Sequence, residues 1–260
     1  MDPTLAYANS DFIPDGASWP GRWANASHSF RAHAQARLDL PYGTAAREAF
    51  DLFLPKDPPK GLLIFIHGGY WMASDRKDWS FTAEGAVEAG WAVALPSYTL
   101  APEARISQMP QQIAKAIEAA ALMVAGPIVI TGHSAGGHLA ARMICEDSPL
   151  SAATLARVIR VVPISPLADL SPLRLTQMNS TLMLSKAEAE AESPARLDRL
   201  DGPEVLIWVG GQERPAFLWQ ARLLSEEWDC AWVVAQGRHH FDVLEDMRSP
   251  QGALTKALIE

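Results

Sequence analysis

Short apolar runs that stop abruptly at glycine or proline are the feature that most restricts how this sequence can fold. Residues 62–66 (LLIFI) are apolar throughout and end at a His-Gly-Gly turn, and residues 91–95 (WAVAL) end at Pro96. A continuous apolar run of this length is typical of a strand buried on both faces of a sheet. We expect further strands in four later segments, at residues 127–131, 158–163, 205–209 and 231–235.

Helical patterns separate these strands. Five apolar residues fall at helical spacing and predict one buried stripe: Ile106, Met109, Ile113, Ile117 and Ala120. Two more helices are expected at residues 135–145 and at residues 215–228, where Pro215 suits a first helical turn. The alternation predicts an α/β fold, with a mostly parallel central sheet that helices cover on both faces.

The chain of 260 residues is expected to form one domain, 1–260, because it has neither an internal repeat nor a long linker rich in Pro, Ser or Gly. Two segments break the alternation of strands and helices, at residues 1–41 and 170–199. We interpret the first as a lid-like segment and the second as a cap-like insertion over a site. The sequence does not decide between a monomer and a homodimer.

Composition excludes several classes of function. Hydrophobic residues make up 48% and charged residues 20%, as in a globular chain, and the net charge of −8 argues against a nucleic-acid or membrane-surface partner. No apolar run approaches the roughly 20 residues of a membrane span. The polar, acidic start lacks the order of a secretory signal, so a cytoplasmic location is expected. Cys145 and Cys230 lack metal-ligand spacing and are expected to be reduced, mostly buried thiols.

Residues 132–136 (GHSAG) match the pattern G-x-S-x-G. Such a turn from strand to helix exposes the serine hydroxyl, and the flanking glycines let the strained backbone form. A predicted strand ends just before this segment, and the residues after it can start a helix whose N-terminus carries partial positive charge. Ser134 is therefore the candidate nucleophile, with a plain Gly-Ser turn as the alternative.

A second glycine turn, residues 67–71 (HGGYW), follows the first predicted strand. Its glycines would let the backbone approach a substrate carbonyl closely. The N–H groups of Gly69 and Tyr70, together with that of Ala135, are the candidate oxyanion donors. We interpret His67 as a structural histidine bonded to nearby loop backbone, because a base here would leave the later histidines without a role.

A serine nucleophile needs a histidine base and an acid that orients it, in the chain order serine, acid, histidine. Glu213 follows the last strand but one and is the candidate acid. Two adjacent histidines follow the last strand. We favour His240 as the base because it precedes the final helices, while His239 stays open. Asp169 and Asp242 are the alternative acids, interpreted first as a loop hydrogen bond and a cap.

The two glycine turns, with the stretch SYTLAPE at 97–103, resemble those of the α/β-hydrolase esterases. The form HGGYW at 67–71 and the segment VGGQERPAFLWQA at 209–221 are similar to the kynurenine formamidase (arylformamidase) branch. The resemblance implies the α/β-hydrolase fold, a triad of Ser134, Glu213 and His240, and no metal or organic cofactor. That family usually carries Asp where this chain has Glu213.

For function, the resemblance implies a serine hydrolase that cleaves a small acyl amide or ester through an acyl-enzyme, with N-formyl-kynurenine as the leading small-molecule substrate. Tyr70 and Trp71 would contact an aromatic leaving group, with core packing as the alternative, and His133 would be a further substrate contact. A rival is a general carboxylesterase or thioesterase on short acyl esters. A second rival is a non-catalytic ligand receptor built on the same fold.

Overall fold

The computed structural model describes residues 2–260 and contains one eight-stranded sheet. Its strands are β1 (Ala36–Pro41), β2 (Ala49–Phe53), β3 (Leu62–Ile66), β4 (Ala92–Pro96), β5 (Ile128–His133), β6 (Val158–Ile164), β7 (Glu204–Gly210) and β8 (Ala231–Ala235). They lie in the order β1-β2-β4-β3-β5-β6-β7-β8. All pairings from β4 to β8 are parallel, while β1–β2 and β2–β4 are antiparallel. The six predicted strands and the α/β class are confirmed.

The two antiparallel strands were not predicted, and β1 falls inside the expected lid of residues 1–41. Its side chains are half-buried or exposed at the sheet edge, so no continuous apolar run marks it. In β2 the buried Asp51 interrupts the apolar pattern. The irregular N-terminal segment therefore ends before Ala36, and the predicted boundary at residue 41 is wrong.

Ten α-helices accompany the sheet in residues 2–260. They are α1 (Pro3–Tyr7), α2 (Trp19–Arg31), α3 (Glu84–Glu88), α4 (Met109–Ala121), α5 (Ala135–Arg142), α6 (Ala152–Leu155), α7 (Asn179–Leu182), α8 (Lys186–Ala191), α9 (Pro215–Glu227) and α10 (Ala253–Ile259). Among the described helices, none combines the length and apolarity that crossing a membrane would require. The predicted stripe is confirmed, since all five of its residues are buried, four of them on α4 and Ile106 in the 3₁₀ helix Ile106–Gln108 that precedes it.

Side chains that alternate along the central strands fill two cores, one on each face of the sheet. On β3, Ile64 and Ile66 face a core shared with α4, α5 and α9. Leu63 and Phe65 face the other core, which contains Trp23 of α2 and residues of α10. This division explains the unbroken apolar runs, because a parallel strand covered on both faces buries every side chain.

A buried ion cluster fastens α2 to the antiparallel edge of the sheet. Asp51 of β2 is fully buried and accepts hydrogen bonds from Arg31 at 2.5 Å and from Nε of Arg76 at 3.1 Å. Arg76 opens the 3₁₀ helix Arg76–Ala83, and it also pairs with Asp39 of β1. Because buried charges are stable only when paired, this cluster fixes how the N-terminal segment lies on the sheet.

Residues 170–199 form a small layer of α7, α8 and two 3₁₀ helices, Ser171–Leu175 and Pro194–Arg196. Glu192, at the end of α8, joins this layer to α5, because its carboxylate accepts from Arg142 and its backbone carbonyl bonds Nε2 of His138. The layer packs through buried leucines into the core behind α5. It is thus anchored to the scaffold along much of its length.

Both cysteines are free thiols, as predicted. Cys145 is fully buried and Cys230 partly so. Burial raises the pKa of the Cys145 thiol to about 12 and that of Cys230 to about 11, so both stay protonated near neutral pH. A protonated, buried thiol is a poor nucleophile, which leaves the serine motif as the candidate for nucleophilic chemistry.

Candidate active site

Ser134 lies on a sharp turn between β5 and α5. Its backbone has φ 57° and ψ −116°, a conformation that a non-glycine residue adopts only when its surroundings enforce it. Its N–H donates to the carbonyl of Ile164 on β6 at 2.8 Å. On the other side, Gly136 lies so close to β3 that a Cβ atom there would be 1.9 Å from the carbonyl oxygen of Ile66. The G-x-S-x-G turn therefore has the strained geometry that the motif predicts.

His240 and Glu213 form a buried pair at the ends of β8 and β7. Nδ1 of His240 lies 2.6 Å from Oε2 of Glu213. The other carboxylate oxygen, Oε1, accepts from the backbone N–H of Gly210 at 2.8 Å and from the hydroxyl of Ser165 at 2.5 Å. Both oxygens are thus held, so the carboxylate cannot rotate away from the imidazole. Ser165 is not among the site residues predicted from the sequence. The only feature of the sequence that could indicate its role is its position directly after a buried strand.

His133 supports the backbone of the candidate base. Its Nε2 lies 2.8 Å from the carbonyl oxygen of His240, and the two rings are 4.5 Å apart between centroids. A carbonyl only accepts, so Nε2 of His133 carries the hydrogen and donates. Burial, followed by the nearby His240, lowers the pKa of His133 well below its usual value. His133 is therefore a neutral donor that fixes the loop of its neighbour, and it also lines the cavity described next.

The alternative base and acids have other partners. Nδ1 of His239 accepts from the backbone N–H of Phe241 at 3.1 Å, and its ring stands edge-on to Trp19. Asp242 accepts from the backbone N–H of His239 at 2.6 Å, as a cap would. Asp169 accepts from the backbone N–H of Ser171 and pairs with an arginine in the 3₁₀ helix Pro194–Arg196. The structure thus joins His240 to Glu213 and gives the competitors structural contacts.

A cavity of about 780 Å³ contains Ser134 and His240 in its lining. Its volume is in the range that holds small organic ligands. The N-terminal segment between residues 4 and 24 supplies much of the wall, as expected for a lid-like segment. From the predicted cap at 170–199, by contrast, the lining includes Met178 alone.

The candidate oxyanion donors lie around this serine. Gly69 has φ +106° and Tyr70 has φ +51°, and a Cβ atom at Gly69 would come within 2.4 Å of the Ala73 carbonyl oxygen. Within residues 2–260, the N–H groups of Gly69, Tyr70 and Ala135 have no acceptor. Ala135 is the first residue of α5, where N–H groups have no partner inside the helix. Two of these donor residues, Gly69 and Tyr70, line the same cavity as the candidate nucleophile Ser134, and Ala135 follows it directly in the chain.

The two aromatic residues after Gly69 separate in the structure. Tyr70 lines the cavity, and its hydroxyl donates to the carbonyl of Tyr7 at 2.5 Å. Trp71 is fully buried in the core, edge-on to His138, and does not contribute to the cavity wall. The expected substrate contact of Trp71 is thus wrong, because the backbone turn directs its ring into the core.

His67 has the structural role predicted for it. Its Nδ1 lies 2.8 Å from the carbonyl oxygen of Gly68, and its ring stacks on Tyr98 at 4.5 Å. Burial lowers its pKa to about 4, so it is neutral near pH 7. In residues 2–260, no group of three or more His, Cys, Asp or Glu side chains is arranged to hold a metal ion.

Residues 63–201 match the model of a protein family with the alpha/beta hydrolase fold. The chain belongs to this α/β-hydrolase family. Among curated proteins, the hydrolase is similar to kynurenine formamidase from Danio rerio, at 26% identity with 93% of this chain and 92% of the relative covered. It is also similar to kynurenine formamidase from Drosophila melanogaster, at 24% identity over 80% of this chain and 75% of the relative. The resemblance to the kynurenine formamidase branch is confirmed.

Solved structures extend the comparison. The crystal structure of a putative thioesterase from Silicibacter sp. TM1040 superimposes with a TM-score of 0.97 at 50% identity, covering 100% of both chains. An esterase from Lactobacillus rhamnosis superimposes with a TM-score of 0.68 at 19% identity, covering 93% of this chain and 89% of that chain, and shares the fold. The predicted α/β-hydrolase fold is therefore confirmed.

Proposed function

We propose that this hydrolase cleaves a small acyl amide or ester through a covalent acyl-enzyme on Ser134. The observation that carries the proposal is the 2.6 Å contact between Glu213 and His240, because His240 lines the same cavity as the strained Ser134. A buried carboxylate held against Nδ1 fixes which imidazole nitrogen carries the hydrogen. Nε2 of His240 is then the nitrogen free to accept the proton of the serine hydroxyl.

In the proposed first step, Oγ of Ser134 attacks the substrate carbonyl carbon while its proton passes to Nε2 of His240. Glu213 stabilises the imidazolium that results, and it stays ionised throughout. Collapse of the tetrahedral intermediate breaks the bond to the leaving group, which takes the proton from Nε2. A water molecule repeats the sequence on the acyl-enzyme, and the acid is released with Ser134 restored.

The proposed oxyanion hole consists of the N–H groups of Gly69, Tyr70 and Ala135. Each is a fixed backbone donor without a partner in the part of the chain that the structure describes, so it requires no reorganisation when negative charge develops on the substrate oxygen. In serine hydrolases, losing one such donor typically costs about 2.7–4 kcal/mol of transition-state stabilisation.

For substrate, we propose an aryl formamide of the N-formyl-kynurenine type. Two kynurenine formamidases are similar to this chain over 80% or more of its length. A formyl group is small enough to fit beside Tyr70 at the oxyanion loop, and the same ring can contact an aromatic leaving group across the cavity.

A short acyl ester or thioester is the second candidate substrate. The observation that favours it is the 50% identity, over the whole chain, to a structure described as a putative thioesterase. Esters and thioesters use the same nucleophile, base and oxyanion donors as formamides, so the catalytic residues do not separate the two. Rates of turnover on formamides and on esters or thioesters are needed to distinguish the two substrate classes.

Labelling with a fluorophosphonate probe tests the nucleophile. Wild type should be labelled and Ser134→Ala should not, whereas Ser180→Ala, an exposed serine on α7, should label like wild type. A folded wild type that is not labelled would contradict the proposal and favour a ligand receptor. Steady-state turnover of N-formyl-kynurenine and of short p-nitrophenyl esters then decides the substrate. Efficient ester hydrolysis without formamide hydrolysis would reject the arylformamidase assignment.

A further inference from the structure

The charged side chains in the cavity wall restrict which substrates it can bind. In the part of the chain that the structure describes, no lysine or arginine lines the cavity, and Asp78 is its single carboxylate side chain. The remaining wall is largely aromatic or small, with Trp23, Tyr70 and Trp79 prominent. A substrate with a charged group therefore meets a negative partner and no positive one.

Asp78 is half-buried, and the backbone of Asp75 partly stabilises its charged form. Across residues 2–260 its carboxylate makes no ion pair and accepts no hydrogen bond from a side chain. Arg47 attracts Asp78 electrostatically, but its hydrogen bonds go elsewhere, because it pairs with Asp75 and donates to the carbonyls of Tyr98 and Ser74. Burial, followed by the negative charge of Asp75, raises the pKa of Asp78. A cationic group on a ligand would favour the charged carboxylate and so oppose both effects.

We propose that Asp78 binds an ammonium group on the leaving-group side of the substrate. This inference rests on the proposed function, in which the acyl group is a formyl that has no room for a charge. The ammonium must then be carried by the aromatic leaving group. The substrate class is accordingly an aryl formamide with an aminoalkyl side chain.

The same wall disfavours a carboxylate on the substrate. A carboxylate inside the cavity would lose water without gaining a cation, and it would be repelled by Asp78. N-formyl-kynurenine carries both an ammonium and a carboxylate, so only its ammonium finds a partner here. N-formyl-kynurenamine, which keeps the ammonium and lacks the carboxylate, should be the better substrate.

Three aryl formamides of similar size and different charge test this site: N-formyl-kynurenamine, 1-(2-formamidophenyl)butan-1-one, which is neutral, and 3-(2-formamidobenzoyl)propanoate, which is anionic. For wild type, kcat/KM should fall in that order, by about two- to fivefold at each step, the range of a partly exposed charge pair. Asp78→Asn should remove the preference for the cation, raise kcat/KM for the anion and leave the neutral compound unchanged. Asp78→Glu should keep the order.

Asp57→Asn is the matched control, because it removes one exposed negative charge from the loop between β2 and β3, away from this cavity. It should reproduce the wild-type series, and thermal unfolding should report all variants as folded. Equal selectivity in wild type and Asp78→Asn would overturn the ammonium site. Absence of Ser134-dependent hydrolysis of any formamide or ester would instead reject the proposed function.

Discussion

The substitution Glu213→Gln probes the proposed mechanism at its most defined contact. Oε1 of Glu213 accepts from the backbone N–H of Gly210 and from Ser165, while Oε2 faces Nδ1 of His240. A backbone N–H cannot become an acceptor, so the carbonyl oxygen of the new side chain must stay beside Gly210. Its NH₂ group then faces His240, which can accept that hydrogen bond only with Nδ1 unprotonated.

The imidazole would consequently carry its hydrogen on Nε2, where it cannot take the proton of Ser134. The corresponding tautomer error in a serine protease lowers kcat by about 10⁴-fold, which corresponds to about 5.4 kcal/mol in the activation free energy. We expect a loss of that order here in kcat on the best formamide or ester, with thermal unfolding close to wild type.

Glu226→Gln makes the same chemical change at an exposed position on α9 and should leave kcat unchanged. A folded Glu213→Gln variant that loses less than tenfold in kcat would refute the reasoning. In that case the orienting acid would have to be sought at Asp169 or Asp242.

Four other perturbations test the candidate site and the scaffold around it. Ser165→Ala should lower kcat about tenfold with little change in KM, because one donor to the orienting carboxylate is lost; an unchanged kcat would argue against that support. His240→Gln should lower kcat at least 10³-fold while His239→Gln keeps most of it, and the reverse order would identify the other base. Asp51→Ala should lower the free energy of unfolding by about 3–5 kcal/mol in urea titrations, because the buried Arg76 and the half-buried Arg31 lose their partner. The pKa of His67 is about 4 in the folded protein against 6.5 ordinarily, so its contribution to stability is present above pH 6.5 and is lost as pH falls towards 4. Between pH 7 and pH 5 this loss is about 2 kcal/mol, and an equal pH dependence in His67→Gln would contradict it.

Strands that are buried on both faces of the sheet were the easiest to predict from the sequence. Strands β3 to β7 could be predicted because their cores lie on both faces, and the edge strand β8 because its residues 231–235 (AWVVA) are apolar even where they are exposed. The candidate site followed because glycine turns and polar residues come directly after those strands. The other edge strand, β1, could not be predicted, because the exposed Arg37 and Asp39 interrupt its apolar residues. Ser165 was missed for a different reason: its contact with Glu213 joins residues 48 positions apart and belongs to no local motif.

The direction of the Trp71 side chain is set by the backbone of its loop, which the sequence motif does not specify. Tyr70 and Trp71 are adjacent in HGGYW, yet both have positive φ, at 51° and 57°. Two successive residues in this conformation turn the chain sharply, so the two rings leave the loop in different directions. A sequence motif therefore identified the loop but not which of its aromatic rings meets the cavity.

The N-terminal segment contacts the surroundings of the candidate catalytic residues through Tyr7. The Tyr7 hydroxyl accepts from Nε2 of Gln220 on α9 at 2.9 Å, and its carbonyl accepts from the hydroxyl of Tyr70 on the oxyanion loop. Its ring also packs edge-on against Phe217, which in turn lies 4.2 Å from the ring of His240. The N-terminal wall of the cavity is thus hydrogen-bonded to the loop of the candidate oxyanion donors through Tyr70, and it packs on Phe217, which contacts the candidate base His240. Changes at Tyr7 should accordingly alter kcat as well as substrate binding, which distinguishes this segment from a cover that merely admits or excludes substrate.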